Sequence, residues 1–346
     1  MLPSAPLRLL GTIACAAGGV LVFKLLSLPL PWLLGPMFAG LAGSLARLPL
    51  QPIPKVSAAM RTVLGVAVGA SLTPALLHRL PDMALSVALV PVMVCLVGVA
   101  GVPYFRRLCG FDTPTAFYCA MPGGFQDMVL LGEEAGGSPR ILSLVHATRV
   151  LVIVAAMPFL VHTIWGRSLD APPGVSAESI PPLELLVMLA CAGVGWWGAR
   201  KLRLFGAPLI GPLVLAAAAS LSGLIHARPP SEAIVAAQFF IGLGVGTKFW
   251  GVTVAELRGV IVAALGFCLI LTAVSVGFAE VVVRAGFARP VEAFLSFAPG
   301  GQGEMAILAI VSGADMAFVV THHLVRLFVV ILGAPLAARA MGDRRP

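Results

Sequence analysis

Long apolar stretches, separated by short polar or glycine-rich connections, run along the whole chain. Several of them, such as 83–103 and 260–283, reach the roughly 20 residues that an α-helix needs to cross the hydrocarbon core of a bilayer. The pattern therefore predicts an all-α polytopic membrane protein. The stretches lie at approximately 7–26, 31–47, 56–77, 83–105, 113–134 and 140–166 in the first half, and at approximately 183–199, 205–226, 232–250, 256–284, 290–312 and 314–338 in the second.

The composition supports this class. Apolar residues make up 59% of the 346 residues and charged residues only 11%, with a mean hydropathy of +1.00. Soluble domains carry about 25% charged residues, so this chain has too few charges to keep a large surface in water. The net charge of +8 comes from basic residues dispersed through short loops, which is typical of cytoplasmic loops and does not indicate a nucleic-acid partner. The cysteines have no paired spacing and are expected to be packing residues.

A seven-residue motif occurs twice, 177 residues apart. Residues 122–128 read Pro-Gly-Gly-Phe-Gln-Asp-Met, and residues 299–305 read Pro-Gly-Gly-Gln-Gly-Glu-Met. An internal duplication of this kind predicts two repeats, 1–168 and 183–346, joined by a polar linker at 169–182. The same offset relates further pairs of residues: His146 with His323, Arg149 with Arg326, Pro158 with Pro335, and Gly65-x-x-x-Gly69 with Gly242-x-x-x-Gly246, the last of which predicts close helix packing.

Each copy of the motif interrupts the fifth apolar stretch of its half. Proline removes a helix donor and each glycine costs about 1 kcal/mol, so the motif predicts a broken helix or a re-entrant hairpin. If the segment crosses the membrane, each half has six spans and the repeats are parallel. If it re-enters, each half has five spans and the repeats are inverted. The total is therefore 10–12 spans, and the inverted arrangement is favoured because it brings the two motifs together at mid-membrane.

Charged side chains inside this apolar sequence form the candidate site. A carboxylate in a membrane is expensive, so Asp127 and Glu304 are expected to face an ion, a substrate or a partner, the alternative being that each caps its own half-helix. Each histidine and the arginine three residues later share a helix face. The arginines are expected to pair with the carboxylates or hold an anion, and the histidines to relay protons, the alternative being a buried ion pair that fixes packing. The predicted substrate- or ion-binding residues are Gly123, Gly124, Gln126, Asp127, His146, Arg149, Gly300, Gly301, Gln302, Glu304, His323 and Arg326.

An enzyme is not expected. The chain contains no HExxH, GxSxG or GxxxxGK[ST] motif, and its six histidines are too dispersed for a predicted metal site. No cofactor is predicted either. His322 has Val145 at its equivalent position and is given no role, and Lys248 is expected to mark the membrane interface.

The duplicated Pro-Gly-Gly-x-x-[Asp/Glu]-Met motif, with the His-x-x-Arg pair after it, resembles the AbrB family of bacterial inner-membrane proteins. The resemblance extends from the Leu34-Gly35-Pro36 region to Pro335. It implies a multi-pass protein of the bacterial inner (cytoplasmic) membrane. Family members carry names such as ammonia monooxygenase and AbrB-type regulator, and the resemblance implies a role in regulating gene expression. At the level of fold, the family is also similar to cation/proton antiporters and anion transporters, whose inverted repeats contain broken helices.

Two functions follow as hypotheses. The first is a secondary transporter of a small solute, such as an anion, with a site between the two Pro-Gly-Gly motifs. Transport would be coupled to H⁺ or Na⁺. The second is a membrane sensor or regulator of gene expression that acts through a partner. The expected partners are the lipid bilayer and a small molecule or ion, with a homodimer left open.

Overall fold

The computed structural model describes residues 5–72, 74–166, 169, 174–204, 206–250 and 254–340, and the regular structure in these ranges is helical throughout. The first half contains α1 (Ala5–Leu25), α2 (Pro31–Leu45), α3 (Pro54–Gly69), α4 (Pro74–Pro103), α5 (Thr113–Ala120), α6 (Phe125–Glu134) and α7 (Pro139–Trp165). The second contains α8 (Pro182–Lys201), α9 (Ala207–Leu221), α10 (Ser231–Gly246), α11 (Val254–Arg284), α12 (Pro290–Phe297), α13 (Gln302–Ser312) and α14 (Met316–Ala340).

Seven helices in the described ranges are long and apolar enough to cross a membrane. The prediction of a helical protein with several helices able to span a membrane is therefore confirmed for the described residues, whereas the total of 10–12 spans stays a prediction. The seven are Pro6–Leu25, Met83–Leu108, Pro139–Trp165, Pro182–Lys201, Ser231–Phe249, Arg258–Arg284 and Met316–Ala338.

Proline and glycine fix many of the helix ends. Proline occupies one of the first two positions of α2, α3, α5, α8, α9 and α12, where its missing N–H costs nothing. Gly136 after α6 and Gly313 after α13 have φ angles of 88° and 67°, which glycine adopts without strain. These two glycines let the chain turn directly into α7 and α14.

The chain forms two compact units, and each unit takes segments from both predicted halves. Unit 1 comprises Met1–Leu80, Ala155–Val252 and Ala306–Ala317. Unit 2 comprises Pro81–Val154, Thr253–Met305 and Phe318–Pro346.

Close backbone packing builds unit 1, where α2 packs against α10 and α3 against α9. A Cβ on Gly65 would meet the Leu209 carbonyl, and one on Gly242 would meet the Leu33 carbonyl. Small residues are what allow two membrane helices to approach this closely. The predicted packing role of the two Gly-x-x-x-Gly pairs is therefore confirmed.

Unit 2 holds the whole of both Pro-Gly-Gly motifs and both His-x-x-Arg pairs. Within it, α5 packs against α6 and α11 packs against α12. An aromatic cluster joins the end of α4 to α11: the Tyr104 hydroxyl donates to the Ala263 carbonyl at 3.0 Å, and the Phe105 and Phe267 rings lie 4.8 Å apart. These packed helices position the candidate site.

Candidate functional site

Both Pro-Gly-Gly motifs lie in gaps between two short helices. The helix α5 ends at Ala120 and α6 begins at Phe125, while α12 ends at Phe297 and α13 begins at Gln302. The residue after each first helix, Met121 or Ala298, is extended, with ψ near 126° or 136°. A helix that ends inside a protein leaves carbonyl groups without intrahelical partners, and these must find other donors.

The arginines of the His-x-x-Arg pairs supply those donors. Arg149 donates from Nη1 to the Met121 carbonyl at 3.2 Å and from Nη2 to the Gly123 carbonyl at 2.7 Å. Both arginines are buried, with 2% and 5% of their surfaces exposed. A cation at the end of α5 or α12 also complements the negative end of the helix dipole. Arg326 repeats the arrangement, donating from Nη1 to the Ala298 carbonyl at 2.6 Å and from Nη2 to the Gly300 carbonyl at 2.8 Å.

The histidines hold the same helix ends. His146 Nε2 lies 3.1 Å from the Tyr118 carbonyl, and His323 Nε2 lies 2.9 Å from the Leu295 carbonyl. Arg326 Nη2 is also 2.9 Å from His323 Nδ1. Because a guanidinium can only donate, Nδ1 accepts and Nε2 carries the ring hydrogen, so His323 is neutral in this arrangement. A second proton on Nδ1 would face the guanidinium, which makes His323 a poor proton relay.

The two carboxylates lie at the start of the second helix of each break. Asp127 is the third residue of α6, and Glu304 is the third residue of α13. A Cβ on Gly124 would meet the carboxylate of Asp127, and one on Gly301 would meet that of Glu304. The second glycine of each motif therefore leaves room for a carboxylate beside the positive end of its helix dipole.

The first glycine of each motif makes room for a methionine. A Cβ on Gly123 would lie 2.8 Å from Met128 Sδ, and one on Gly300 would lie 3.1 Å from Met305 Sδ. Both methionines are fully buried. In each motif, the first glycine thus leaves space for the methionine and the second leaves space for the carboxylate.

Charged groups from the two motifs lie within electrostatic range of each other. Arg149, from the first copy, is close enough to be attracted by Glu304 of the second copy and repelled by Arg326. The apolar side chains also approach, since Leu327 Cδ1 would lie 3.7 Å from a Cβ on Gly124. Unit 2 therefore brings the two breaks to one place.

The remaining predicted residues differ in how they are held. Gln302, the first residue of α13, donates from Nε2 to the His323 carbonyl at 3.3 Å and so ties α13 to α14. Gln126 lies in α6, but its side chain is outside the described part of the structure. No group of three or more His, Cys, Asp or Glu side chains in the described ranges is arranged to hold a metal ion.

One polar pair went unnoticed in the sequence. His322 is fully buried, and its Nε2 lies 3.1 Å from the hydroxyl of Ser86, which is also fully buried on α4. In the sequence, the feature that could have indicated this contact was a second histidine beside His323 in an apolar helix. Its partner is 236 residues away in the chain, so no local pattern pointed to the contact.

Similarity to known proteins extends over nearly the whole chain. One relative, "Uncharacterized protein YhjN" of Bacillus subtilis (strain 168), is 28% identical, with 93% of this chain and 90% of the relative covered. Another, "Putative regulator AbrB" of Escherichia coli (strain K12), is 26% identical, with 94% and 93% covered. Neither name describes an enzyme. The family model described as "Transition state regulatory protein AbrB" matches residues 32–342, and the chain belongs to this AbrB family.

Proposed function

We propose that this protein is a secondary transporter of a small solute in the bacterial inner membrane, with its site at the two helix breaks of unit 2. The observation that carries the proposal is the position of both breaks in unit 2, where Leu327, one residue after Arg326, approaches Gly124 and where Arg149 lies within electrostatic range of Glu304 and Arg326. Interrupted helices with charged groups at mid-membrane are a common way to build a transport site.

The proposal includes two internal repeats, each with a broken Pro-Gly-Gly segment. Support comes from hydrogen bonds that recur at the motif's own offset of 177 residues. The carbonyls bound by His146 and Arg149 belong to Tyr118, Met121 and Gly123. The carbonyls bound by His323 and Arg326 are the equivalent ones, of Leu295, Ala298 and Gly300.

Within this site we assign different roles to the charged groups. Asp127 and Glu304 bind the solute or its coupling ion, H⁺ or Na⁺, because an ionisable side chain inside a membrane is costly and usually marks the path of a substrate or an ion. Arg149 and Arg326 keep the breaks open, because their Nη atoms already donate to main-chain carbonyls. This assignment makes the anion-holding role expected of the arginines secondary.

The test begins with ligand binding to the purified protein in lipid nanodiscs. Thermal unfolding is followed while Na⁺ replaces choline at constant ionic strength, at several pH values, and with a panel of small organic acids and amines. A ligand present at 100 times its Kd stabilises the folded state by about 2.7 kcal/mol. Any solute found in this way is then followed into proteoliposomes under an imposed pH or Na⁺ gradient.

Variants of the carboxylates decide whether the site is the right one. D127N and E304Q each abolish gradient-driven uptake, whereas E280Q, at an exposed ion pair with Arg284, leaves it unchanged. Uptake by D127N or E304Q at the wild-type rate would refute the site. Absence of any flux with every solute and gradient would refute the transporter itself.

A second candidate is a membrane sensor or regulator that acts through a partner. Two names favour it, "Transition state regulatory protein AbrB" for the family and "Putative regulator AbrB" for the Escherichia coli relative. It predicts that deletion of the gene changes expression of other genes although no solute flux is measurable. Restored expression by the transport-dead D127N variant would favour the regulator over the transporter.

A further inference from the structure

His322 and Ser86 form a buried polar contact that the proposed transport site does not use. His322 lies on α14 and Ser86 on α4, and neither has any exposed surface. The imidazole Nδ1 is 2.8 Å from the Phe318 carbonyl, and Nε2 is 3.1 Å from Ser86 Oγ. Ser86 Oγ is also 2.9 Å from the Met83 carbonyl.

The hydrogen-bond partners of the imidazole are compatible with both its neutral and its protonated state. A carbonyl can only accept, so Nδ1 carries a hydrogen that it donates to Phe318. When the ring is neutral, the Ser86 hydroxyl donates to Nε2. When the ring is protonated, Nε2 donates to Ser86 Oγ, and the hydroxyl hydrogen turns to the Met83 carbonyl. The ring can therefore gain a proton without displacing any non-hydrogen atom.

The aromatic rings around the imidazole favour an added positive charge, whereas the complete burial of His322 opposes it. The Phe318 ring lies 4.3 Å from the imidazole and the Phe297 ring 5.4 Å, distances at which an aromatic face attracts a cation. Among the residues that the structure describes, the titratable group that interacts with His322 is its neighbour His323, which is neutral because its Nδ1 accepts from Arg326. From α4 the contact is the uncharged Ser86, and Asp82, four residues earlier, lies outside the described side chains.

The pair joins the two halves of the chain, and the duplication does not repeat it. The offset of 177 residues places Val145 opposite His322 and Ala263 opposite Ser86. Both of these equivalents are buried. If only packing were needed at these positions, both residues of the pair could be apolar, as Val145 and Ala263 are.

We infer that His322 is a proton-binding site, with Ser86 as the hydroxyl that switches between donor and acceptor. The site is separate from the Asp127 and Glu304 carboxylates, and its test does not require that any solute crosses the membrane. Proton binding at His322 gives α14, the helix that carries the second His-x-x-Arg pair, a charge that depends on pH.

The test follows the imidazole nitrogens directly. Full-length protein carrying ¹⁵N-labelled histidine is placed in lipid nanodiscs and titrated with acid by NMR, and the variant H322V identifies the His322 signals by their loss. Valine is the residue at the equivalent position, so H322V is expected to fold; H322Q serves the same purpose if it does not. The expected result is a ring protonated at Nδ1 that gains a second proton while the protein is still folded.

The variant S86A, which introduces the residue found at position 263, tests the switch. Without the acceptor for Nε2, the proton concentration at which His322 is half protonated is expected to rise about tenfold, because a hydrogen bond to a charged group is lost. The control S296A removes another buried hydroxyl of unit 2, which has no hydrogen-bond partner among the described residues, and is expected to leave the titration unchanged. The inference is overturned if His322 stays neutral until the protein unfolds, or if S86A titrates like the wild type.

Discussion

Arg149 and Arg326 show how a single side chain can hold a broken helix in an apolar environment. Each guanidinium donates to two carbonyls, one from the end of the first helix and one from the motif itself. An arginine fork reaches two acceptors at once, which a lysine ammonium on its flexible stem does less well. These arginines are therefore as much a part of the backbone structure as of any site.

The variant R326M tests this structural role. It is expected to lower the free energy of unfolding by about 3 kcal/mol, because two buried carbonyls lose their donors. R326K should recover only part of the loss. Unfolding in detergent measures the effect, and R284M, at a side chain that is 79% exposed, serves as the control. A stability of R326M equal to that of R284M would contradict the role.

The first glycine of each motif allows a second prediction at the scale of single residues. In G123A, the new methyl group would meet Met128 Sδ and Cγ at 2.8 and 2.9 Å. Such overpacking costs about 1–3 kcal/mol. The control G333A adds a methyl group in α14 where nothing lies within 4 Å, and should be neutral or stabilising.

A double-mutant cycle identifies the methionine as the cause. G123A should cost less in the M128A background than in the wild type, because the clashing side chain has been removed. Thermal unfolding of the four proteins gives the coupling free energy. Equal costs in both backgrounds would mean that the glycine is needed for another reason, such as its backbone conformation.

At the scale of helices, the features that depend on local composition, such as the positions of helix breaks, were predicted best from the sequence. The gaps between α5 and α6 and between α12 and α13 fall where proline and two glycines remove helix propensity. The partners of the arginines could not be predicted, because a main-chain carbonyl is present at every residue and leaves no mark in the sequence. The contact between His322 and Ser86 was invisible for a different reason, since it joins helices far apart in the chain.

Packing between α3 and α9 gives a prediction at the scale of helices. In G65A the added methyl group meets the Leu209 carbonyl, a main-chain atom that cannot turn aside as a side chain could. We expect a loss of about 1–3 kcal/mol in the free energy of unfolding. The matched variant G277A, in α11 where nothing lies within 4 Å, should not lose stability. Equal melting of the two variants would contradict close packing at Gly65.

For the whole molecule, the inverted arrangement requires that the two halves of the chain run in opposite directions through the membrane. The first half contributes three of the seven long apolar helices, α1, α4 and α7. If the shorter helices α2 and α3 both cross the membrane, they add two crossings, so the number of crossings in the first half stays odd. If α5 and α6 together return to the face they entered from, the first half crosses an odd number of times. The second half then begins on the opposite face, which is the inverted arrangement.

Arg107 and Arg284 are equivalent positions that distinguish the two topologies. Single cysteines at these positions, in a background without the six native cysteines, are treated in intact cells with a membrane-impermeant maleimide and again after permeabilisation. The inverted arrangement predicts that one of them reacts in intact cells and the other only after permeabilisation, because an odd number of crossings separates equivalent loops. Parallel repeats would place both on the same face, so identical labelling of R107C and R284C would exclude the inverted model and require the broken segments to cross.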